Sequence, residues 1–217
     1  MLFYLMVTLM SNDEFLVLKD TVLSCQHCVY ILPCLPKPII QIHPDAKLLI
    51  AGQAPGKKAH DIGRPFDDLS GDRLRDWLSI TKDEFYDEHQ VAIVPMGFCF
   101  PGNTFHKNGP SAGKPSGDLP PRPECAVKWR EAVLSQLPNI ELTIVLGAYA
   151  QAYHLDQSGN VTEQVMQWAY WLEQGKLVLP HPSPRNNRWL KQNPWFEAEV
   201  LPELKARVKA LISKPVS

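Results

Sequence analysis

The sequence has no excess of charge of either sign, with 22 lysine and arginine residues against 23 aspartate and glutamate residues. A histone-like or tail-like binder relies on a cationic field of the whole molecule, so that class is excluded and any nucleic-acid contact must come from a local patch. Long apolar runs are also missing. The stretch MLFYLMVTLM at residues 1–10 is shorter than the roughly 20 residues of a membrane span, and it lacks the basic leader and cleavage site of a signal peptide.

Cysteine is scarce, with five residues in 217. Without an export signal, these cysteines predict a reducing, cytoplasmic environment, where paired cysteines bind metals more often than they form disulfides. The length and the 45% of apolar residues predict one monomeric domain over residues 1–217. We expect residues 1–20 to be an N-terminal extension without fixed order and Met10 to be the start of translation, with a short packed helix as the alternative.

Internal repeats are absent, and the chain instead alternates apolar strand patterns with amphipathic helix patterns. This alternation predicts a three-layer α/β/α sandwich with a central, mostly parallel sheet, whose ligands bind at the carboxyl ends of the strands. The segment 101–123, rich in proline and glycine, is expected to be a long loop. The predicted strands are 46–53, 90–98, 141–148 and a strand that starts at 176, and the predicted helices are 70–80, a helix that starts near 123, 159–175 and 194–212.

The helix over 70–80 carries the clearest periodicity. Ser70 or Asp72 is placed to cap it, and Leu74, Trp77 and Leu78 fall on one face, as in a helix that packs on a core.

The loop after the first predicted strand, GQAPGKKAHDIGRPF at 52–66, has the glycine and lysine content of a phosphate-binding loop but not its spacing. A P-loop requires G-x-x-x-x-G-K-[ST]. Here three residues separate Gly52 from Gly56, Pro55 lacks an amide donor, and Lys58 stands where serine or threonine is needed. The loop therefore predicts no nucleotide cofactor, and a tight turn that needs glycine is the simplest interpretation.

Taken together with GRPF (63–66) and HPSPRN (181–186), this loop resembles the motifs of the uracil-DNA glycosylase superfamily. The resemblance covers about residues 25–205, and it is closest to the iron-sulfur branch, also called family four, whose first motif looks like GEAPG followed by GxPF. The matching positions are Gly52, Ala54, Pro55, Gly56, Gly63, Pro65 and Phe66.

The resemblance implies a monofunctional DNA repair glycosylase that flips uracil, or a related deaminated base, out of DNA and hydrolyses its N-glycosidic bond. In families with the HPS motif the histidine donates a hydrogen bond to the leaving base, so His181 is the expected catalytic donor. A histidine at a strand end that bonds a nearby carbonyl is the alternative. The implied partner is DNA that contains a damaged base.

The same resemblance assigns the base pocket and the DNA contacts. Phe66 would stack on the flipped base, with the backbone near Gln53 and Ala54 at its carbonyl edges; an ordinary core phenylalanine is the alternative. The residues expected at DNA phosphates or in the helix are Lys57, Lys58, Ser183, Pro184, Arg185 and Asn186, extended by Arg188 and Trp189.

Two departures from the family pattern concern the chemistry. Gln53 and Ala54 occupy the places where the branches carry a carboxylate, so Asp61 is the nearest candidate to activate water, with Asp67 and Asp68 beyond it. An exposed carboxylate without a catalytic role is the default interpretation of each.

The second departure is at the asparagine that reads uracil. Pro95 stands at its position, which puts base selectivity in question, and Asn103 is the candidate to replace it.

The cysteines follow the order of the four cluster ligands in the resembling branch. Cys25, Cys28, Cys99 and Cys125 are therefore the expected ligands of a [4Fe-4S] cluster, with zinc or no metal as alternatives. The spacing from Cys99 to Cys125 is long for that branch, and Cys34 is left over.

Two other classes remain open at this stage. A non-catalytic nucleic-acid-binding protein of the same fold would tolerate the missing carboxylate and asparagine. A hydrolase or transferase of free nucleosides would not need the positive charge of Arg185 and Arg188.

Overall fold

The computed structural model describes residues 12–212, apart from Asp156 and Ser158. The strands are Leu48–Ala51 (β1), Val91–Ile93 (β2), Asn103–Phe105 (β3), Pro115–Asp118 (β4), Leu142–Leu146 (β5) and Lys176–Leu179 (β6). The α-helices are Asn12–Leu23 (α1), Lys57–Ile62 (α2), Leu69–Leu78 (α3), Lys82–Tyr86 (α4), Pro123–Cys125 (α5), Glu131–Ser135 (α6), Gly147–His154 (α7), Val161–Met166 (α8), Trp168–Leu172 (α9), Asn187–Gln192 (α10) and Leu201–Ile212 (α11). Single π-helical turns span Ala126–Arg130 and Phe196–Val200, and a 3₁₀ turn spans Pro184–Asn186.

The central sheet has the strand order β2-β1-β5-β6, and every pair in it is parallel. Leu48 of β1 lies between Val91 of β2 and Leu142 of β5. Parallel strands need covered crossovers, and helices connect these strands over both faces. The predicted α/β sandwich with a central parallel sheet is confirmed.

Each face of the sheet carries its own apolar core, because successive residues of a strand point to opposite sides. Leu48 and Ile50 face a core that includes Trp77, Trp171 and Val208 from α3, α9 and α11. On the other face, Leu49 of β1 packs with α1 and the helical segment around α6. That second core contains Leu49, Ala92, Val94, Phe15, Val22 and Val133.

The N-terminal helix corrects one prediction. Phe15 and Val22 of α1 are almost fully buried, so residues 12–20 belong to a packed helix, and the expectation that they lack fixed order is wrong. Met10 and the rest of residues 1–11 lie outside the described part of the chain.

Several element bounds differ from those expected. Helix α3 begins at Leu69 with Asp68 as its cap, whose carboxylate accepts a hydrogen bond from the Gly71 amide, so neither Ser70 nor Asp72 caps it. Its predicted buried face is confirmed, since Leu74, Trp77 and Leu78 are all buried. The strand predicted over 90–98 ends at Ile93, and Pro95, which has no amide donor, follows shortly. The helix predicted over 159–175 is two helices, α8 and α9, separated at Gln167.

The segment 101–123 is not a structureless loop. Strands β3 and β4 pair antiparallel in it, with Asn103 opposite Asp118 and Thr104 opposite Gly117. We call residues 103–118 the hairpin. No helix among the described residues has both the length and the apolar character required to cross a bilayer.

Candidate active site

A cleft of about 730 Å³ opens at the carboxyl ends of the sheet strands. This volume is within the usual range of small-molecule sites, roughly 300–1,000 Å³. The loop after β1, the loop after β2, the loop after β6 and the hairpin each contribute to its walls. The lining includes Gly52, Gln53, Ala54, Gly56, Lys58, Phe66, Asp68, Pro95, Asp118, His181, Ser183, Pro184, Arg185 and Asn186.

His181 follows β6 directly and lines the cleft. The amide of Ser183 donates a hydrogen bond to its Nδ1 at 3.2 Å, so the proton of the neutral ring is on Nε2. Burial lowers the pKa of His181 below its ordinary value of 6.5, with Arg185 acting in the same direction and Asp68 opposing it. The ring is therefore neutral at physiological pH, with its Nε2–H as a hydrogen-bond donor. In this structure its Nδ1 accepts a hydrogen bond from the Ser183 amide.

The loop that carries His181 is fixed by polar contacts at several points. Asn186 Nδ2 donates to the carbonyl of His181 at 2.7 Å, and Ser183 Oγ accepts from the Arg185 amide at the start of the 3₁₀ turn. Arg73 of α3 donates to the Ser183 carbonyl at 3.1 Å and to Asn187 Oδ1 at 2.7 Å. The catalytic candidate is therefore held by two elements, β6 and α3.

Trp189 makes contacts within the protein, and its predicted DNA contact stays a prediction. Its Nε1 donates to Thr162 Oγ1 at 2.8 Å, and its ring packs edge-on against Trp195 and Phe196. Arg188 is exposed and is not part of the cleft lining.

Phe66 lies in the cleft with an unusual backbone conformation, φ of 53°. Left-handed backbone is costly for a bulky residue and persists only where its surroundings enforce it. Arg75 donates to the Phe66 carbonyl at 3.1 Å, and a Cβ on Gly71 would come within 1.7 Å of that carbonyl oxygen. The ring lies beside the first motif, since a Cβ on Gly52 would be 3.5 Å from Phe66 Cζ, an ordinary van der Waals contact.

Gln53 and Ala54 line the cleft as predicted, but the side chain of Gln53 is already engaged. Its Nε2 donates to the carbonyl of Leu119 at 3.1 Å, which ties the first motif to the end of the hairpin. Its backbone carbonyl accepts from the Gly97 amide at 2.9 Å. Gln53 therefore shapes the cleft and does not replace the missing carboxylate.

The structure does not bring Asp61 to the cleft. Asp61 lies on α2, exposed, and forms an ion pair with Lys57 one turn earlier. This contact lowers the pKa of Asp61 below its ordinary value. Neither residue belongs to the cleft lining, whereas Lys58 does. The prediction that Asp61 activates water lacks the required geometry, whereas the predicted contact of Lys57 with DNA phosphates stays a prediction, with the lysine paired to Asp61 in this structure.

The other residues predicted to activate water or to read the base also have defined positions in the structure. Asp67 bonds Arg64 and Lys82, which lower its pKa to about 2, and it lies outside the lining. Asp68 lines the cleft, but its carboxylate caps α3. Asn103 pairs with Asp118 in the hairpin and is not a lining residue, so it does not take the place of the missing asparagine at Pro95.

Asp118, which no sequence motif singles out, is a carboxylate that the fold brings into the cleft in addition to Asp68. Its Oδ2 lies 3.6 Å from the position of a Cβ on Gly56 of the first motif. Arg185 of the second motif reaches the preceding residue, with its guanidinium 3.1 Å from where a Cβ on Gly117 would be. Partial burial raises the pKa of Asp118 above its ordinary value of 3.8. Arg185 lowers this pKa, and Asp68 raises it further. Only the length of the segment 101–123 signalled a functional element there.

A second, smaller cavity adjoins the cleft. Cys25, Cys28, Cys99 and Cys125 all line it, together with apolar residues such as Phe98. We call it the thiol cavity. All four cysteines are reduced and partly buried.

Amide and indole groups donate to the sulfur atoms of this cavity. The Phe98 amide donates to Cys125 Sγ and Trp129 Nε1 donates to Cys25 Sγ, each at 3.3 Å. Burial raises the pKa of Cys99 to about 12 and of Cys125 to about 11. Neutral thiols that already receive N–H donors are suited to deprotonate on binding a metal.

One buried side chain links the two cavities. Arg130, fully buried, donates to the carbonyls of Val94 at 3.1 Å and of Pro95 at 2.8 Å. Pro95 lines the cleft, and Cys125 lies on the same continuous helical segment as Arg130. The wall of the cleft is thus anchored to the helix that presents a thiol.

The fold and the cleft define a parallel α/β protein with a cleft of ligand size at the carboxyl edge of its sheet. A protein-family model described as the uracil DNA glycosylase superfamily matches residues 40–205. This match covers most of the chain and includes every segment of the cleft, and the chain belongs to the uracil DNA glycosylase superfamily.

Proposed function

We propose that the protein is a monofunctional DNA glycosylase that excises uracil, or a related deaminated base, from DNA. The observation that carries this proposal is the neutral His181 donor in a cleft of suitable volume, in a chain of the uracil DNA glycosylase superfamily. Excision needs a donor at the leaving base, a stacking surface and a carboxylate near the sugar. His181, Phe66 and Asp118 offer these functions within one cleft.

The reaction breaks the bond between the sugar C1′ and the base nitrogen, and the electron pair of that bond leaves with the base. His181 Nε2–H hydrogen-bonds the base oxygen on which negative charge develops, and this proton is available because Nδ1 is the ring nitrogen that accepts the Ser183 amide. Water attacks C1′ as positive charge develops on the sugar. The carboxylate of Asp118 stabilises that positive charge and accepts the proton from the attacking water.

Several features support DNA as the substrate. Arg185 is exposed at the rim of the cleft and Lys58 lines it, so two cations are available for phosphates even though the whole chain is nearly neutral. Ser183 and Pro184 precede Arg185 on a turn whose position Arg73 fixes. A fixed turn of this kind is suited to enter the space that a flipped base leaves.

We further propose that the thiol cavity holds a [4Fe-4S] cluster. Zinc–sulfur bonds of about 2.3 Å would bring four sulfur atoms to roughly 3.8 Å of one another. In the described part of the chain, the one group of three or more candidate ligands within 4.8 Å of one another does not include these thiols. No three of these thiols are as close to one another as a single ion requires, and the proposed occupant is the larger cluster. The residues that would hold it are Cys25, Cys28, Cys99 and Cys125, and it would cross-link the segment after α1, the loop after β2 and helix α5.

The function is tested by incubating the purified protein with single- and double-stranded oligonucleotides that contain uracil, hypoxanthine or xanthine, followed by alkali to cleave abasic sites. We expect excision of at least one base, and we expect His181→Ala to lower the rate by about 10²- to 10³-fold. DNA binding without excision would instead indicate a non-catalytic binding protein. Turnover of free nucleosides with indifference to DNA would indicate a nucleoside hydrolase.

A further inference from the structure

A cluster of potential metal ligands lies away from both cavities. Asp45 Oδ2 is 3.4 Å from Nδ1 of His43 and 3.4 Å from Nδ1 of His89. The two imidazole rings are in contact, with their centroids 3.8 Å apart and their planes tilted by 42°. His43 and Asp45 precede β1, and His89 precedes β2, so the cluster is at the amino ends of neighbouring parallel strands. The cleft lies at the opposite edge of the same sheet.

The spacing of the three residues is that of ligands around one ion. A tetrahedral zinc ion with bonds to nitrogen and oxygen of about 2.0–2.1 Å places its ligand atoms roughly 3.3–3.4 Å apart. Both measured distances from Asp45 match this value. All three ligand atoms lie within 4.8 Å of one another, and no other such group of three occurs in the described residues.

The His43 ring presents a lone pair on the side that faces Asp45. The amide of Asp45 donates to His43 Nδ1 at 3.2 Å, which places the proton of the neutral ring on Nε2. An imidazole nitrogen without a proton is the form that coordinates a metal, and an ion at Nδ1 would take the lone pair that accepts the Asp45 amide in this structure. Because Asp45 and His89 are about half exposed, solvent can reach the cluster to supply a further ligand.

Helix α1 holds the two ligand segments together. Lys19 Nζ donates to the carbonyl of Ile42 at 3.3 Å and forms an ion pair with Glu88 at 2.7 Å. These two residues directly precede His43 and His89. A single side chain therefore sets the separation of both histidines, which lowers the ordering cost of binding an ion between them.

We propose that His43, Asp45 and His89 form a binding site for a divalent transition-metal ion of the zinc class, which cross-links the segments before β1 and β2. Two imidazoles and one carboxylate suit Zn²⁺, Co²⁺, Ni²⁺ or Cu²⁺, whereas Mg²⁺ and Ca²⁺ prefer oxygen ligands alone. The ion is structural in this position. The site is independent of base excision, since it lies at the edge of the sheet remote from His181.

The test is a titration of the full-length protein with Co²⁺, followed by visible absorption and by thermal unfolding. Co²⁺ bound to nitrogen and oxygen gives weak visible bands, whereas Co²⁺ bound to thiolates gives an intense near-ultraviolet band, so the thiol cavity is distinguished in the same spectrum. In the wild type we expect saturable nitrogen and oxygen binding and a rise in Tm with Co²⁺ concentration. His89→Ala removes an exposed ligand and is expected to weaken binding at least 10- to 100-fold, the cost usual for losing even an outer-sphere partner.

His106→Ala is the matched control, because His106 is an exposed histidine on the hairpin. It should bind Co²⁺ as the wild type does. Asp45→Asn, which leaves both rings in place, should weaken binding as His89→Ala does. Equal Co²⁺ affinity in the wild type and His89→Ala, or Co²⁺ spectra that show thiolate ligands only, would overturn the proposal. Excision activity plays no part in these readouts, so they stand whether or not the protein proves to be a glycosylase.

Discussion

The cleft and the thiol cavity share one stretch of chain and differ in almost every other respect. Residues 95–99 contribute Pro95 to the cleft and Cys99 to the thiol cavity. The cleft is wide and keeps charged groups such as Asp118 and Arg185 in contact with water. The thiol cavity is small and surrounds partly buried sulfur atoms with apolar walls. A site whose ligand is exchanged at each turnover needs solvated charges, whereas a resident group needs a closed set of soft ligands.

Substitutions that alter one of the two cavities and leave the other intact separate the roles of the two cavities in excision.

The largest effect is expected for Asp118→Asn, which removes the carboxylate from the cleft. A general base contributes about 10²- to 10⁴-fold to the rate, and we expect a loss of that size in single-turnover excision. The pKa of Asp118 is raised above 3.8, so the wild-type rate should fall as the pH drops through this raised value and the carboxylate gains a proton. In Asp118→Asn this acidic limb should disappear.

Asp61→Asn is the matched control, since it removes a carboxylate on α2 that is paired with Lys57 outside the cleft. Its excision rate and pH profile should equal those of the wild type. A larger loss in Asp61→Asn than in Asp118→Asn would show that the hairpin does not supply the base.

The second effect is expected for Gly71→Ala, which perturbs the stacking residue through its backbone. The new Cβ would overlap the Phe66 carbonyl oxygen, and overpacking of this kind costs about 1–3 kcal/mol. We expect a lower Tm and slower excision, because Phe66 must leave its left-handed conformation. Asp76→Ala on the exposed face of α3 should change the free energy of unfolding by less than about 0.5 kcal/mol; an equal loss in both variants would contradict the steric explanation.

A smaller effect is expected when Lys58 is replaced by alanine. Loss of one phosphate contact lowers DNA affinity for all sequences and reduces the slope of log K against log salt concentration by about 0.9. Lys57→Ala should leave that slope nearly unchanged, because Asp61 already compensates the Lys57 charge. Fluorescence anisotropy at several salt concentrations measures both slopes, and identical slopes for the two variants would refute the distinction.

The smallest effect on excision is expected for Cys25→Ser, which acts on the thiol cavity. Iron content and the brown colour of an anaerobically purified sample should fall sharply, while the folded fraction retains an excision rate near that of the wild type. Cys34→Ser is the control, since Cys34 does not line the cavity and should keep its iron. A colourless, iron-free wild-type protein would refute the cluster.

Periodicity and motif position predicted the fold well, because both reflect local physical constraints. Alternating strand and helix patterns identified the strands of the parallel sheet, and HPSPRN was correctly placed at the carboxyl end of one of them. The buried face of α3 followed from its spacing alone. Strand lengths were overestimated where proline or a loop ends the pairing, as after Ile93.

Of the two carboxylates that line the cleft, Asp68 is among the predicted candidates, whereas Asp118 could not be predicted in this way. Asp61 was chosen because it is near the first motif in sequence, but α2 turns it toward Lys57. Asp118 is 62 residues from Gly56 in the chain, and its proximity depends on the register of the hairpin. That register depends on β4, a short strand that contains Pro115 and Gly117, residue types with weak propensity for β-structure. Tertiary contacts, such as the bond from Gln53 to Leu119, therefore determine where the hairpin lies.

The tip of the hairpin offers a place to attach a reporter. Lys107 and Asn108 at the tip are exposed, and exposed loop tips tolerate insertions. The other end of the same hairpin presents Asp118 to the cleft. A fluorophore attached at the tip would be joined through two short strands to Asp118 and would leave every residue of the cleft unaltered.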